Sequence, residues 1–290
     1  MRIHRIATLL LAASIPAAAA DRKIALIAGP PSHGPLAHEQ NAGAMLLEKW
    51  LNRVPGIRAT AYKSGWPSDP SAIEQADAIF VFCDGAERHL IFQDDRAAAI
   101  GRAMARGAGL MLYHYGVEPP AARGHKETLD WIGGFFELNY SVNPIWEADI
   151  QPAKEHPITR GVAPFKLKDE WYFNMRFRDG MQGVQPILTA VPPQETMSRP
   201  DGIRSGNPDV RSKIGKPQLL MWAVERPDRG RGVGFTGGHF HLNLGDANFR
   251  KVVLNALLWT AKAKVPKKGL DVAVTESELM TNLDPKPGRK

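Results

Sequence analysis

The feature that most constrains this chain is a regular alternation of short aliphatic segments with amphipathic segments. Aliphatic segments of strand length occupy residues 23–28, 57–62, 78–82 and 110–113. Segments with helical spacing lie between them, at residues 41–53, 72–76 and 95–106. Strands that alternate with helices over short loops form parallel sheets with right-handed crossovers. We therefore predict an α/β fold with a doubly wound, mostly parallel sheet.

The second half of the chain has a different sequence pattern, which predicts added β strands and one long loop. Candidate strands follow at residues 145–150, 165–172, 187–190, 219–224 and 232–235, and a closing helix covers residues 248–263. Residues 193–217 are polar and rich in Gly, Pro, Asp and Arg, and they show neither helical nor strand periodicity. A loop of that length is commonly a functional lid or a mobile segment. Its candidate substrate contacts are Arg199, Arg204 and Arg211.

The two ends of the chain predict export and a short basic tail. Two arginines precede a small and apolar run at residues 6–20, whose last residues, Ala18-Ala19-Ala20, form a small-x-small cleavage site before Asp21. The run contains a proline and is short for a membrane span, which needs about 20 apolar residues. We expect residues 1–20 to be the signal peptide of a periplasmic or secreted protein. Residues 21–263 then form one domain, and residues 264–290 form a basic surface tail.

Composition and missing motifs exclude several classes of protein. The formal net charge of +7 is dispersed among 30 acidic residues, and no nucleic-acid-binding motif is present, so we expect no nucleic-acid partner. We expect no membrane span after signal cleavage. The loop after the first strand reads GPPSHG rather than a dinucleotide or phosphate motif, so no nucleotide cofactor is expected. The single cysteine, Cys83, closes a buried strand and is assigned to the core.

Histidines, carboxylates and one serine follow the ends of the predicted strands. They are Ser32, His33 and His38 after the first strand, Asp84 after the third, His114 and Glu118 after the fourth, and His239 and His241 after the last. Ligands of open parallel sheets bind outside the carboxyl ends of the strands. Imidazole and carboxylate groups delivered there by independent strands favour a metal or acid–base site.

Several motifs in a fixed order resemble one known family. They are SHGPLAHEQNAG, FVFCDG, LYHYGVE, HPITRGV, PQLLMWAVERPDRGRGVGFTGGHFHLN and FRKVVLNALLWTA. In this order they resemble the ThuA-like (trehalose utilisation) family over residues 23–263. The resemblance implies a fold similar to the class I glutamine amidotransferases and a role in sugar metabolism.

The resemblance also implies that glutamine hydrolysis is lost. His114 stands where the amidotransferase fold carries its nucleophilic cysteine, and Gly238-His239-Phe240-His241 replaces the His-Pro-Glu that completes the triad. Without thiol and supporting carboxylate, a thioester route is not expected. Histidines in these positions are compatible with a divalent metal such as zinc or manganese, because neutral imidazole is a common ligand.

These observations lead to candidate roles for the strand-end residues. The candidate catalytic groups are His114, His239, Glu118 and Asp84, and the candidate metal ligands are His38, His114, His239 and His241. The candidate substrate contacts are Ser32, His33, Tyr113, Tyr115, Gly116, Gly238 and Phe240. His239 and His241 would point the same way on an extended strand, and the aromatic rings suit a pyranose face.

Three hypotheses for the function follow. The first is an exported enzyme that acts on a disaccharide, glycoside or keto-sugar through the histidine-rich site. The second is a non-catalytic periplasmic carbohydrate-binding protein on the same fold. The third is residual amidase or peptidase chemistry that uses Cys83.

Overall fold

The computed structural model describes residues 20–286, so the predicted signal peptide lies outside the described residues except for Ala20. The strands are β1 (Arg22–Ala28), β2 (Ile57–Tyr62), β3 (Ala78–Phe82), β4 (Gly109–Tyr113), β5 (Gly134–Phe135), β6 (Trp146–Pro152), β7 (Phe165–Asp169), β8 (Arg176–Phe177), β9 (Val184–Ala190), β10 (Gln218–Glu225) and β11 (Arg231–Phe235). The α-helices are α1 (Gln40–Leu51), α2 (Ser71–Glu74), α3 (Arg96–Ala105), α4 (His125–Ile132), α5 (Gln194–Met197), α6 (Pro208–Arg211), α7 (Ala247–Thr260) and α8 (Glu276–Leu279). Among the residues described, no helix combines the length and apolar character needed to cross a membrane.

Nine strands form one sheet in the order β2-β1-β3-β4-β11-β10-β9-β6-β7. The first five are joined by parallel pairings, and the remaining four extend the sheet through antiparallel pairings. Strands β5 and β8 form a separate two-stranded sheet. The predicted α/β class is confirmed, and the predicted added strands form the antiparallel half of the sheet.

Helices cover both faces of the parallel half, which explains its uninterrupted aliphatic strands. In β1, Ile24 and Leu26 pack in a core shared with α1 and α7. The alternate residues, Ala25 and Ile27, pack in a second core shared with α2, α3 and α4. Because both faces are buried, no polar residue interrupts the last five positions of β1.

Three features of the chain after β4 differ from the prediction. The strand predicted at residues 165–172 ends at Asp169. Helix α4 was not predicted, because its apolar face is formed by only a few residues near its end. The long loop at residues 193–217 contains two helical turns, α5 and α6, which Met197 and Val210 anchor as fully buried side chains.

The expectation of a surface tail at residues 264–290 is wrong for the described part of that segment. Val265, Val272 and Leu279 are buried in the core that contains α1 and α7. The guanidinium of Arg250 donates to the carbonyl oxygen of Val272 at 2.8 Å. The tail is therefore packed against the domain despite its basic, proline-containing sequence.

His89 follows β3 but is a structural histidine beneath the strand ends. Its Nε2 lies 2.8 Å from the carbonyl oxygen of Gly116, and its Nδ1 accepts the amide of Ile91 at 3.2 Å. Because a carbonyl only accepts, Nε2 carries the proton of a neutral ring. Burial lowers the pKa of His89 to about 4, against the opposing effect of the hydrogen bond to Gly116.

We predict that His89 makes the protein less stable as the pH falls from about 6.5 to about 4, because the unfolded chain then binds a proton that the folded chain excludes. The effect is absent above pH 6.5 and reaches about 3 kcal/mol near pH 4. Urea unfolding across this range should show a smaller loss of stability for His89→Gln, which cannot titrate. Identical pH slopes for the two proteins would contradict this assignment.

Candidate functional site

Three histidines and one glutamate from four separate loops meet at one edge of the sheet. His38 lies between β1 and α1, His114 follows β4, His239 follows β11, and Glu170 follows β7. One ring nitrogen of each histidine and one carboxylate oxygen lie within 4.8 Å of one another. We call this group the histidine centre. It confirms that the strand ends of this fold converge as the parallel topology predicts.

The spacing within the histidine centre matches the spacing of ligands around one ion. Nε2 of His38 lies 3.0 Å from Nε2 of His114 and 3.1 Å from Nδ1 of His239. The Oε2 atom of Glu170 lies 3.5 Å from the same nitrogen of His114 and 3.2 Å from that of His239. Four ligands at zinc-like bond lengths around a tetrahedral ion stand about 3.3 Å apart. The four donor atoms, which all lie within 4.8 Å of one another, are thus close to the spacing of ligands that could hold one divalent ion.

A hydrogen bond behind the ring of His114 determines which of its nitrogens can bind a cation. Nδ1 of His114 lies 2.8 Å from the carbonyl oxygen of Thr236 and must donate to it, which leaves Nε2 with a free lone pair in the neutral ring. Nδ1 of His38 lies 3.4 Å from Asp84 without a hydrogen bond, and burial holds the pKa of His38 well below its usual range. Nε2 of His38 can therefore carry the ring proton and donate to Nε2 of His114 at 3.0 Å, or the two nitrogens can bind one cation.

Glu170 and Tyr172 complete the polar side of the histidine centre. Burial alone would raise the pKa of Glu170, but hydrogen bonds with His114 and His239 hold it below its ordinary value. Asn143 donates to the other carboxylate oxygen of Glu170 at 3.1 Å. The hydroxyl of Tyr172 lies 3.3 Å from Nε2 of His114, and burial raises the pKa of this phenol, so it remains a hydrogen-bond donor.

A second group, formed by His33, His38 and Asp84, has the wrong geometry for a metal. The two imidazole rings are stacked with centroids 3.6 Å apart, so their in-plane lone pairs run nearly parallel instead of converging. Ser32 and Gln40 already donate to Asp84 at 2.7 and 3.1 Å. Burial would raise the pKa of Asp84, but the neighbouring His38 and Ser32 lower it below the usual value. Asp84 therefore orients His38.

Several predicted site residues surround the histidine centre. They are Ser32, His33, Asp84, Tyr115, Gly238 and Phe240. The ring of Tyr115 stands edge-on to His38 with centroids 6.0 Å apart. Gly238 contributes through its backbone, because its φ of 114° is unfavourable for other residues and a side chain would overlap the ring of Tyr113.

Two predicted residues lie away from the centre. Tyr113 was predicted as a substrate contact, but its ring is buried among Phe80, Phe82 and Phe235. His241 was predicted as a metal ligand, but its Nε2 bonds the carbonyl oxygen of Leu279 at 2.9 Å. Residues 241–245 form a 3₁₀ turn, so the alternation of an extended strand does not apply there.

Two other predicted residues have structural partners. Glu118 was predicted as a proton-transfer group, but it is bound by two nitrogens of Arg204 from the long loop. Burial raises the pKa of Glu118, and Arg204 opposes that rise. Gly116 was expected to approach a ligand closely, but a side chain there would press on the carbonyl oxygen of Val81 in β3. Its small size is therefore needed for packing on the sheet.

The sequence analysis missed Glu170, Tyr172, Asn143 and Asp169. The first two fell inside or at the end of the strand predicted at residues 165–172, where they were read as part of the strand. Asp169 is fully buried and accepts the amides of Gly238, His239 and Phe240 at 2.7, 3.0 and 3.3 Å. The sequence signal that could have identified this position is the pair of adjacent acidic residues, Asp169 and Glu170, which interrupts the strand predicted at residues 165–172.

The tail packs against the loop that carries His33 and His38. The side chain of Lys286 contacts the carbonyl oxygens of Gly34 and Ala37. Two residues earlier in the tail, the amide of Asp284 donates to Glu39 at 2.7 Å. The segment after α7 therefore stabilises one wall of the candidate site.

Cys83 does not form part of a nucleophilic site. It is completely buried beneath the strand ends, and burial raises the pKa of its thiol to about 12. A thiolate is the reactive form of cysteine. The structure thus contradicts the hypothesis of amidase or peptidase chemistry at Cys83.

The fold and the histidine centre together define an α/β protein that gathers imidazole and carboxylate groups at the carboxyl ends of its strands. The sequence model of the ThuA family, described as trehalose utilisation, matches residues 33–260. The chain belongs to this family, which connects it with a carbohydrate-related role and confirms the resemblance seen in the motifs. No curated protein sequence matches the chain.

Solved structures with similar folds include proteins from three bacteria. A ThuA-like protein from Bacteroides uniformis shares 17% identity and a TM-score of 0.60, over 86% of this chain and 95% of that chain. A ThuA-like protein from Parabacteroides merdae shares 16% identity and a TM-score of 0.54, over 85% and 94%. A cytoplasmic protein from Salmonella typhimurium shares 15% identity and a TM-score of 0.52, over 82% and 99%. At these identities the comparisons show a common fold.

We predict that Asp169→Asn lowers the free energy of unfolding by about 2 kcal/mol, because an amide cannot accept on both sides and one backbone N–H is left without its acceptor. Urea unfolding measures the change. Asp149→Asn is the matched control, since Asp149 lies on the neighbouring strand β6 with its side chain 62% exposed. Equal shifts for both variants would show that Asp169 does not hold the turn.

Proposed function

We propose that this protein is an enzyme of carbohydrate metabolism whose histidine centre binds one divalent metal ion. The observation that carries the proposal is the approach of three imidazole nitrogens and one carboxylate oxygen to within 4.8 Å. The carbonyl oxygen of Thr236 behind the ring of His114 aims the lone pair of Nε2 inward, and the carboxylate of Asp84 lies 3.4 Å behind the ring of His38. Such outer partners are typical of metal-ligating histidines.

The donor set favours zinc, with manganese as the second choice. Three imidazoles and one carboxylate suit zinc in a tetrahedral arrangement, and carboxylate with imidazole also suits manganese. A divalent ion bound there supplies Lewis-acid polarisation of a sugar carbonyl or hydroxyl oxygen. The family description, trehalose utilisation, supports a carbohydrate-related role, and within that class we propose a disaccharide, glycoside or keto-sugar as the substrate.

The protein's own groups around the histidine centre bind and orient the sugar. Tyr172 holds a phenolic proton beside Nε2 of His114 and can donate a hydrogen bond to a substrate oxygen. Tyr115 offers an aromatic face near His33 and His38, which suits the apolar face of a sugar ring. Ser32 and Asp84 form a polar pair on the same side.

We predict about one zinc or manganese ion per chain in the purified protein, measured by elemental mass spectrometry. His114→Ala removes a ligand and the inward lone pair, so the metal content should fall to near zero. His125→Ala is the matched control, because His125 stacks on Phe135 outside the centre. An unmetallated wild-type protein that also fails to take up either ion on dialysis would refute the metal proposal.

Turnover separates the enzyme from the alternative, a non-catalytic carbohydrate-binding protein. The metal-loaded protein is incubated with disaccharides, glycosides and their keto derivatives, and products are followed by chromatography. Turnover that disappears in His114→Ala supports the enzyme. Sugar binding without any product, retained in the same variant, supports the binding protein.

We also propose that residues 1–20 direct export and are removed before Asp21. Basic residues, an apolar run and small residues before the cleavage point support this proposal. Expression of the full chain in a bacterium with two membranes should yield a periplasmic protein whose intact mass begins at Asp21. A protein retained in the cytoplasm with its N-terminal segment attached would exclude export.

A further inference from the structure

A polar cavity of about 460 Å³ lies beside the histidine centre, on the side of Glu170. Its other lining residues come from the segment before β6 and from the long loop, and they are Asn143, Pro144, Ile145, Glu195, Thr196 and Arg199. Glu170 thus faces the histidines with one carboxylate oxygen and is held by Asn143 at the other. A molecule in this cavity would contact both the centre and the long loop.

Among residues 20–286, Arg199 and Lys216 are the two cations of the long loop without a carboxylate partner, and of these two Arg199 lines the cavity. Arg204 binds Glu118, Arg211 binds Asp201 and Lys213 binds Asp209. Within residues 20–286, the guanidinium of Arg199 forms no ion pair, and its Nη1 is buried without a hydrogen-bond partner. The orphaned Nη1 is shielded from solvent, so an anion in the cavity would pair with the part of the guanidinium that lines the cavity, with which no carboxylate of residues 20–286 is paired.

We propose that Arg199 binds a negatively charged group of the substrate, so that the substrate is an acidic sugar carrying a carboxylate or a phosphate. The proposal rests on the proposed function for the sugar, and it does not depend on the metal. The planar guanidinium suits either anion because both can accept two parallel hydrogen bonds. The sugar ring would then lie between Arg199 and the histidine centre.

Glu195 lines the same cavity with an exposed carboxylate. It forms no ion pair with Arg199 within 4 Å among the described residues, so it does not serve as the missing partner. Its charge opposes an anionic ligand, as does the charge of Glu170, which lines the same cavity. Removal of the positive charge of Arg199 should therefore weaken anion binding, whereas removal of the negative charge of Glu195 should strengthen it. The two variants thus check each other.

The experiment is calorimetric titration of the purified protein with D-glucose, D-glucuronate and D-glucose 6-phosphate. At least one of the two anions should bind roughly tenfold more tightly than glucose, and the preference should weaken as ionic strength rises. Comparison of the two anions identifies carboxylate or phosphate as the recognised group.

Four variants test the assignment of Arg199. Arg199→Gln should abolish the preference, Arg199→Lys should keep part of it, and Glu195→Gln should increase it. Lys216→Gln is the matched control, because it removes an exposed cation of the same loop that does not line the cavity. Thermal unfolding checks that each variant is folded.

Three outcomes would overturn the proposal. They are equal affinity for glucose and both anions, a preference for an anion that survives Arg199→Gln, and no binding of any of the three sugars. These titrations measure binding rather than turnover, so they remain informative if the metal analysis fails. Repeating them with His114→Ala separates the two proposals, since loss of the metal should leave the effect of Arg199 on the preference for anions intact.

Discussion

The candidate site depends on the carboxylate of Asp169 at the end of β7. It accepts backbone amides of the turn after β11, including that of His239. In the same turn, the carbonyl oxygen of His239 accepts a hydrogen bond from the amide of His38 at 2.9 Å. Because Glu170 is the next residue along the chain, one carboxylate positions three of the four members of the histidine centre. It also joins the antiparallel half of the sheet to the parallel half.

This arrangement holds two histidines in an unfavourable backbone conformation. His38 and His114 have φ angles of 48° and 52°, in the left-handed region where side chains other than glycine are disfavoured. Such strain persists only where surrounding contacts outweigh it, and it concentrates at functional sites. Here the contacts are the bond from His114 to Thr236 and the packing of the tail against the loop of His38. The structure thus uses stabilising contacts from distant segments to aim two imidazoles inward.

The sequence was sufficient for the parallel half of the fold, because strands buried on both faces must be aliphatic throughout. It also indicated that His38, His114 and His239 converge, since parallel strands end at one edge. Side-chain direction was harder to predict. Tyr113 continues the face of Met111 into the core, and His241 begins a tight turn that breaks the expected alternation. Glu170 was missed because its position is set by Asp169, whose partners lie about 70 residues away along the chain.

The turn after β4 shows how the backbone fixes the direction of a ring at the edge of the sheet. His114 has a φ of 52° in this turn, and its side chain is fully buried within the histidine centre. The resemblance seen in the sequence implies that an amidotransferase would carry its nucleophilic cysteine at this position, where a thiol needs a neighbouring base. In this chain Nδ1 of His114 is held by the carbonyl oxygen of Thr236, which fixes the direction of the lone pair at Nε2. His239 and His38 present nitrogens to the same point, which is why we propose a cation there. Fold similarity therefore explains where the site lies, and the side chains determine what it can bind.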